Sequence, residues 1–267
     1  MIRADRWNAV YAEVERELKA RVPELMKGAS HRWGAMRWPA EAIPPGGVRP
    51  ENVAYISEDS GEIRHMFVMM TGRTIGPSRV GAAYPFVPHG AAYDVEIKAL
   101  HPHETGIEGE VTAHYAGQDF RFFEPLWGVK KSQYKVGALQ RIRFAAFGHA
   151  MAAMNGVPAK PPEPAPADEG GIPLTPPPPP IEAPSALVMI GPGASSRYGM
   201  HAPILEWRGF WTGERLYYAL KLRLFESEGR AFAVDLYAGR HCFQGAFSPA
   251  AGVAVAGVMW LHGTLAD

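Results

Sequence analysis

From Val53 onward, apolar and polar residues alternate with a period of two, the spacing of strands that bury one face and wet the other. In AAYDVEIKAL, residues 91 to 100, Tyr93, Val95, Ile97 and Ala99 share one face while Asp94, Glu96 and Lys98 occupy the opposite one. In LYYALKLRLF, residues 216 to 225, the inward set is Leu216, Tyr218, Leu220, Leu222 and Leu224, and the outward set is Tyr217, Ala219, Lys221, Arg223 and Phe225. Phe232, Val234 and Leu236 of AFAVDLY again share a face. Further strands are expected at VAYIS (53 to 57), EIRHMFVMMT (62 to 71), EVTAHY (110 to 115), DFRFF (119 to 123) and near 139 to 146, with turns at Glu58-Asp59-Ser60-Gly61, Gly117 and Gly229.

Residues 5 to 27 have a different period. Trp7, Val10, Tyr11, Val14, Leu18 and Val22 recur at three- and four-residue steps, which predicts an amphipathic helix started by Asp5 and kinked or ended at Pro23. Its apolar stripe is expected to dock on its own β domain. The two Arg-Trp pairs that follow, at 32 to 33 and 37 to 38, predict buried rings with exposed guanidinium heads.

A single compositional break divides the chain. Between residues 158 and 184, 12 of 27 positions are proline, and PPPPP at 176 to 180 favours a stiff polyproline II rod. Such a segment cannot build a core, so it reads as a linker at 157 to 184 between an N-terminal unit (1 to 156) and a C-terminal unit (185 to 267). Both units run from a turn glycine to a glycine that leads the closing strand. Gly117 to Gly137 is 20 residues and Gly229 to Gly252 is 23, a weak internal duplication.

Hairpins, a non-strand connection and a Gly-led closing strand point to a mainly β, α+β chain of two small antiparallel barrels, the first preceded by the helix and extra strands. In strand order and in the glycines of YKVG and AAG, residues 93 to 151 and 201 to 265 resemble OB-fold-type barrels. The ending GVMWLHGTL also resembles the close of barrel domains in bacterial proteins of no assigned function, so no activity follows from it. What the OB resemblance implies is binding along the outer face of strands 2 and 3. In the second barrel that face holds Tyr217, Lys221, Arg223, Phe225 and Tyr237; in the first it holds His114, Arg121 and Phe123, with Arg141 and Arg143 on the late strand. If those aromatics are exposed they can stack bases; if they lie under the N-terminal helix they are packing.

Charge narrows the choice. There are 27 basic and 27 acidic residues, so no global field draws nucleic acid or an anionic membrane. WGVKKSQYKVGALQRIRF, residues 127 to 144, gathers Lys130, Lys131, Lys135, Arg141 and Arg143 without an acid, but residues 93 to 151 hold seven acids and seven bases, so cross-strand ion pairs are expected. The lone cysteine, Cys242, cannot form an internal disulfide, and no stretch approaches the roughly 20 apolar residues of a membrane span. A cytoplasmic setting follows as the expectation, with no signal peptide and no membrane partner.

Catalytic motifs are sparse. His101 and His103 of HPHETG could share a metal but lack an evident third ligand, and His241-Cys242 would point apart on a strand. GPGASSRYG (191 to 199) has neither a Gly-Lys-Ser/Thr phosphate loop nor a GxSxG elbow. The expectation is a non-enzymatic binding or assembly protein with a protein partner and no cofactor. Single-stranded nucleic-acid binding and a metal enzyme built on His101 and His103 are the alternatives.

Overall fold

A computed structural model describes residues 4–38, 51–59, 61–72, 76–104, 106–154, 185–189, 195–245 and 247–266. The chain is mainly β, with two sheets. Strands β1 (His31–Arg37), β2 (Asn52–Ser57), β3 (Arg64–Gly72) and β4 (Gly76–Phe86) form a four-stranded antiparallel sheet in sequence order. The proline-rich stretch and most of the loop before Arg197 lie outside the described residues.

The second sheet has nine strands: β5 (Ala91–Pro102), β6 (Gly109–Tyr115), β7 (Gln118–Phe123), β8 (Leu139–Met154), β9 (Ala186–Met189), β10 (Arg197–Thr212), β11 (Arg215–Ser227), β12 (Arg230–Gly239) and β13 (Ala254–Leu265). The alternating stretches became strands where the period of two placed them. The turn glycines Gly117 (φ 75) and Gly229 (φ 69), and the leading glycines Gly137 (φ 81) and Gly252 (φ 84), all take left-handed conformations that glycine adopts without strain.

Strands from both sides of the proline-rich stretch pair within this one sheet, and the pairing does not resolve into two self-contained barrels. β8 and β13 run antiparallel along almost their whole length, from Ala254↔Met154 to Leu265↔Ile142. On its other edge β8 pairs first with β5 (Glu96↔Leu139 to Ala91↔Phe144) and then, in parallel, with β12 (Asp235↔Ala145 to Tyr237↔Phe147). β13 does the same in mirror order, pairing with β10 (Pro203↔Ala254 to Arg197↔Trp260) and then in parallel with β7 (His262↔Phe123). Each half therefore places its closing strand beside the other half's last hairpin strand.

Two cores follow from the pleat. Ile142, Phe144 and Ala146 of β8, Val255, Met259 and Leu261 of β13, Phe122 of β7 and the Leu220, Leu222 and Leu224 row of β11 point into the nine-stranded sheet. The alternate residues Ala145, Phe147, Trp260, Phe123, Tyr217, Ala219 and Tyr237 point outward into a second core, filled by β2–β4 and the N-terminal segment.

That segment departs from the expected single helix. Ala4–Trp7 is a 3-10 turn, and the α-helix α1 spans Val14–Gly28, with Glu13 rather than Asp5 at its cap position. Pro23 sits inside α1 without ending it. The break at residues 8 to 13 lets main-chain carbonyls face the second half: Gly239 N donates to Ala9 O (2.8 Å), and the Tyr217 hydroxyl donates to Val10 O (2.9 Å). An intact helix would have spent those carbonyls on its own ladder. Trp7, Val10, Tyr11, Val14 and Leu18 are buried between the sheets, so the stripe does dock on its own β structure.

Candidate functional site

The aromatic residues of the proposed binding face are packing residues. Tyr217 and Tyr237 are each 3% exposed, covered by the N-terminal segment and Phe210. Phe225 changes face altogether. A register shift between Arg223 and Phe225 inserts an extra residue in β11, and the ring turns inward to stack on Phe232 at 5.0 Å. The sequence alternation assigned it to the outward set because a bulge leaves no mark in a two-residue period.

Four of the eight cations lie beside acids. Lys221 pairs with Glu206 (3.1 Å), Arg223 with Glu226 (3.3 Å), Arg121 with Glu110 (3.7 Å) and Arg141 with Asp94 (3.3 Å), the last two residues standing directly opposite on β8 and β5. His114 pairs likewise with Asp119 (2.5 Å). Lys130 ends the short helix α2 (Trp127–Lys130), Lys131 opens a 3-10 turn, and Lys135 and Arg143 follow on either side of Gly137. The aromatics interleaved with them, Trp127, Tyr134 and Phe144, are buried, so this basic stretch offers charge without a stacking platform. Lys221 and Tyr237 do share a shallow hollow of about 140 Å³ with Glu206, Arg208 and Asp235, a mixed-charge surface.

The histidine pair separates. His101 Nε2 hydrogen-bonds Thr112 Oγ1 (2.8 Å), whereas His103 Nδ1 lies 3.9 Å from Glu108. Among the described residues no group of three or more His, Cys, Asp or Glu is placed to hold a metal ion. Beside His103, a cleft of about 260 Å³ is walled by Arg6, His149, Glu110, Ser196 and Trp260. Several of its wall residues are partnered: Ser196 N and Oγ donate to Glu110, Trp260 Nε1 donates to Ser196 Oγ (3.0 Å), and Arg6 is ion-paired with Glu108 and lies over the Phe123 and Trp260 rings. Burial raises the Glu108 carboxyl, but His103 and Arg6 outweigh it and hold the group below its ordinary range.

The His241-Cys242 pair corrects the strand geometry assumed for it. Both residues lie in a 3-10 turn, Arg240–Cys242, which brings Cys242 Sγ to 3.5 Å from His241 Nε2. Burial pushes the thiol up to about 12, so it stays protonated at neutral pH and is a poor nucleophile. Both groups donate to the Asn8 carbonyl, which makes them a latch for the N-terminal segment.

Three further groups escaped sequence reasoning. Tyr11, His65 and Glu58 form a buried chain, Tyr11 Oη to His65 Nε2 at 2.6 Å and His65 Nδ1 to Glu58 at 2.5 Å, with Trp7 stacked on the imidazole. Glu124 is 0% exposed; its carboxyl accepts from Leu126 N (2.8 Å) and from the Tyr134 hydroxyl, and burial pushes it up to about 7. Neither has a ligand-sized opening beside it among the pockets described.

The third is exposed. At the far end of the β10–β11 hairpin, Leu205 is 38%, Trp207 46% and Trp211 68% accessible. The hairpin closes through the two-residue turn Gly213-Glu214, and Trp207↔Leu220, Gly209↔Tyr218 and Trp211↔Leu216 stand opposite one another. Trp207 and Trp211 thus continue the core-facing side of β11 past the end of the core. A register shift between Ile204 and Glu206 sets this phase. No family model, curated protein or solved structure matches the chain. The signal in the sequence was EWRGFWTGE, two tryptophans on either side of Gly209 just before the Gly213-Glu214 turn.

Proposed function

We propose that this is a non-enzymatic binding or assembly protein whose contact surface is the Trp207–Trp211 face of the β10–β11 hairpin, with a protein partner. The observation that carries the reading is the pair of indoles left open on a hairpin that projects beyond its core. Tryptophan is enriched among residues that dominate binding energy, and truncating one at an interface centre costs about 2 kcal/mol or more. The nine-stranded sheet is read with it as two small OB-like barrels fused through β8 and β13, a rigid mount for the hairpin. Among the described residues no helix is long and apolar enough to cross a membrane.

The test compares proteins retained by the immobilised full chain with those retained by Trp207→Ala/Trp211→Ala. Each retained species is then purified and titrated against both forms. The double variant should keep its stability within about 1 kcal/mol, since both side chains are largely outside the core, and lose affinity at least tenfold. Equal affinity for the two forms would sink the proposal.

A further inference from the structure

We infer that the cleft between Arg6, Arg197 and Trp260 binds a small phosphate monoester. This site is separate from the Trp207–Trp211 face and stands or falls independently of it.

Only the joined sheet assembles this cleft. β13 stands between β8 and β10, with Trp260 opposite Arg197 on one side and opposite Phe147 on the other, and His149 follows two residues after Phe147 on β8. Arg6 comes from the N-terminal 3-10 turn, and His103 comes just after the end of β5. Both halves of the chain therefore wall one opening. Its volume of about 260 Å³ is close to the roughly 300 Å³ at which small-molecule pockets begin, room for an anionic group with a short organic body.

Donors dominate the walls. Two guanidiniums and two imidazoles line the cleft against one carboxylate, Glu110, which already accepts from Ser196 N (3.1 Å) and Ser196 Oγ (2.7 Å). Arg6 is the anchor. It is 8% exposed, its guanidinium carbon lies 4.9 Å from the Phe123 ring centre and 5.1 Å from that of Trp260, and its Nη1 donates to Glu108. Among the described residues nothing accepts from its other N–H groups, so an acceptor entering the cleft would satisfy donors that the fold leaves open. A guanidinium held flat between rings presents a fixed fork, which suits phosphate oxygens better than a mobile ammonium does. The surrounding field agrees. The His262 ring packs 4.0 Å from the Trp260 indole, and burial, then Arg6 and His149, hold it well below its ordinary value, so the charges beside the cleft disfavour a further cation despite Glu108. Phosphate is preferred to carboxylate because its three terminal oxygens can accept from donors on several elements, where a carboxylate has only two.

The experiment is calorimetric titration of the full chain at low salt with inorganic phosphate, glycerol 3-phosphate, glycerate and glycerol. Glycerol 3-phosphate should bind once per chain with a Kd of about 1 mM or below. It should bind at least tenfold more tightly than glycerate, inorganic phosphate should bind more weakly than the ester, and glycerol should not bind. Arg197 is exposed at the start of β10, so Arg197→Ala should keep the fold, checked by circular dichroism, and weaken glycerol 3-phosphate at least tenfold. Lys27→Ala, at an exposed cation in the last turn of α1, should bind as the parent does. Arg6→Lys keeps a charge beside Glu108 without the fork and should also weaken binding at least tenfold; if that variant unfolds, the Arg197→Ala comparison decides. No binding of either phosphate probe up to about 10 mM overturns the inference. So does undiminished affinity in Arg197→Ala, or glycerate that binds as tightly as glycerol 3-phosphate. Equal weakening by Lys27→Ala overturns it as well, because it assigns the binding to general surface charge.

Discussion

Replacing Glu124 by glutamine should change how stability depends on pH. The carboxyl sits at 0% exposure, held by Leu126 N and the Tyr134 hydroxyl, and burial lifts it from 4.5 to about 7. Below pH 4.5 the group is protonated in both folded and unfolded chains and has no effect on their balance. Between 4.5 and 7 the unfolded chain releases a proton that the fold retains, so folding loses stability, and above 7 the loss is complete. At about 1.4 kcal/mol per unit the loss is roughly 3 kcal/mol. Glutamine is neutral throughout, accepts from Leu126 N through its oxygen and donates to Tyr134 through its amide. Urea unfolding of both proteins from pH 4.5 to 8.5 isolates this group, because every other titration is common to the pair. The variant should match the parent near pH 4.5 and exceed it by about 3 kcal/mol at pH 8. A difference that stays flat, or that grows toward acid, would falsify the assignment of a buried, neutral-preferring carboxyl.

Other perturbations probe the second core and its latch. Arg6 and Glu108 are ion-paired with side chains 8% exposed, so Arg6→Met strands a buried carboxylate and should cost about 3 kcal/mol or more in urea unfolding; Arg6→Met/Glu108→Gln should recover over half of that, and a single-variant cost under about 1 kcal/mol contradicts the pairing. His262 has both ring nitrogens buried without a hydrogen-bond partner, and burial, then Arg6 and His149, hold it well below its ordinary value. Folding therefore loses stability as pH falls below 6.5, and His262→Leu should narrow the drop in Tm between pH 8 and pH 5; an equal drop in both proteins argues against it. Cys242 should react with a disulfide reagent at pH 8 only as fast as the fold opens, and rapid labelling would show that the thiol is not sealed under Asn8. A Cβ at Gly90, where φ is +146, would overlap the Phe144 carbonyl oxygen, so Gly90→Ala should lose more than about 1 kcal/mol in the same unfolding assay.

Strands and turns were legible because they are local. The inward rows Leu220, Leu222, Leu224 and Phe232, Val234, Leu236 all reached the inner core, and the left-handed glycines at 117, 137, 229 and 252 fell where the chain needed them. The Asp94–Arg141 pair answers the basic stretch as charge balance foretold. Helix α1 was legible as an apolar stripe but not in its extent, since residues 8 to 13 give up helical hydrogen bonds for partners more than 200 positions away.

By itself, then, the sequence determined the mainly β composition, the phase of most strands and the absence of a cysteine scaffold. Only the tertiary structure decided that β8 and β13 join the two halves in one sheet, that Tyr217 and Tyr237 lie under the N-terminal segment, and that Trp207 and Trp211 do not. The reason is physical. A two-residue period states which side chains share a face of a sheet, but whether that face meets water, a helix or another strand depends on what the rest of the chain lays against it. A single bulge, as at Leu205 or before Phe225, can exchange the faces without altering the composition that predicted them.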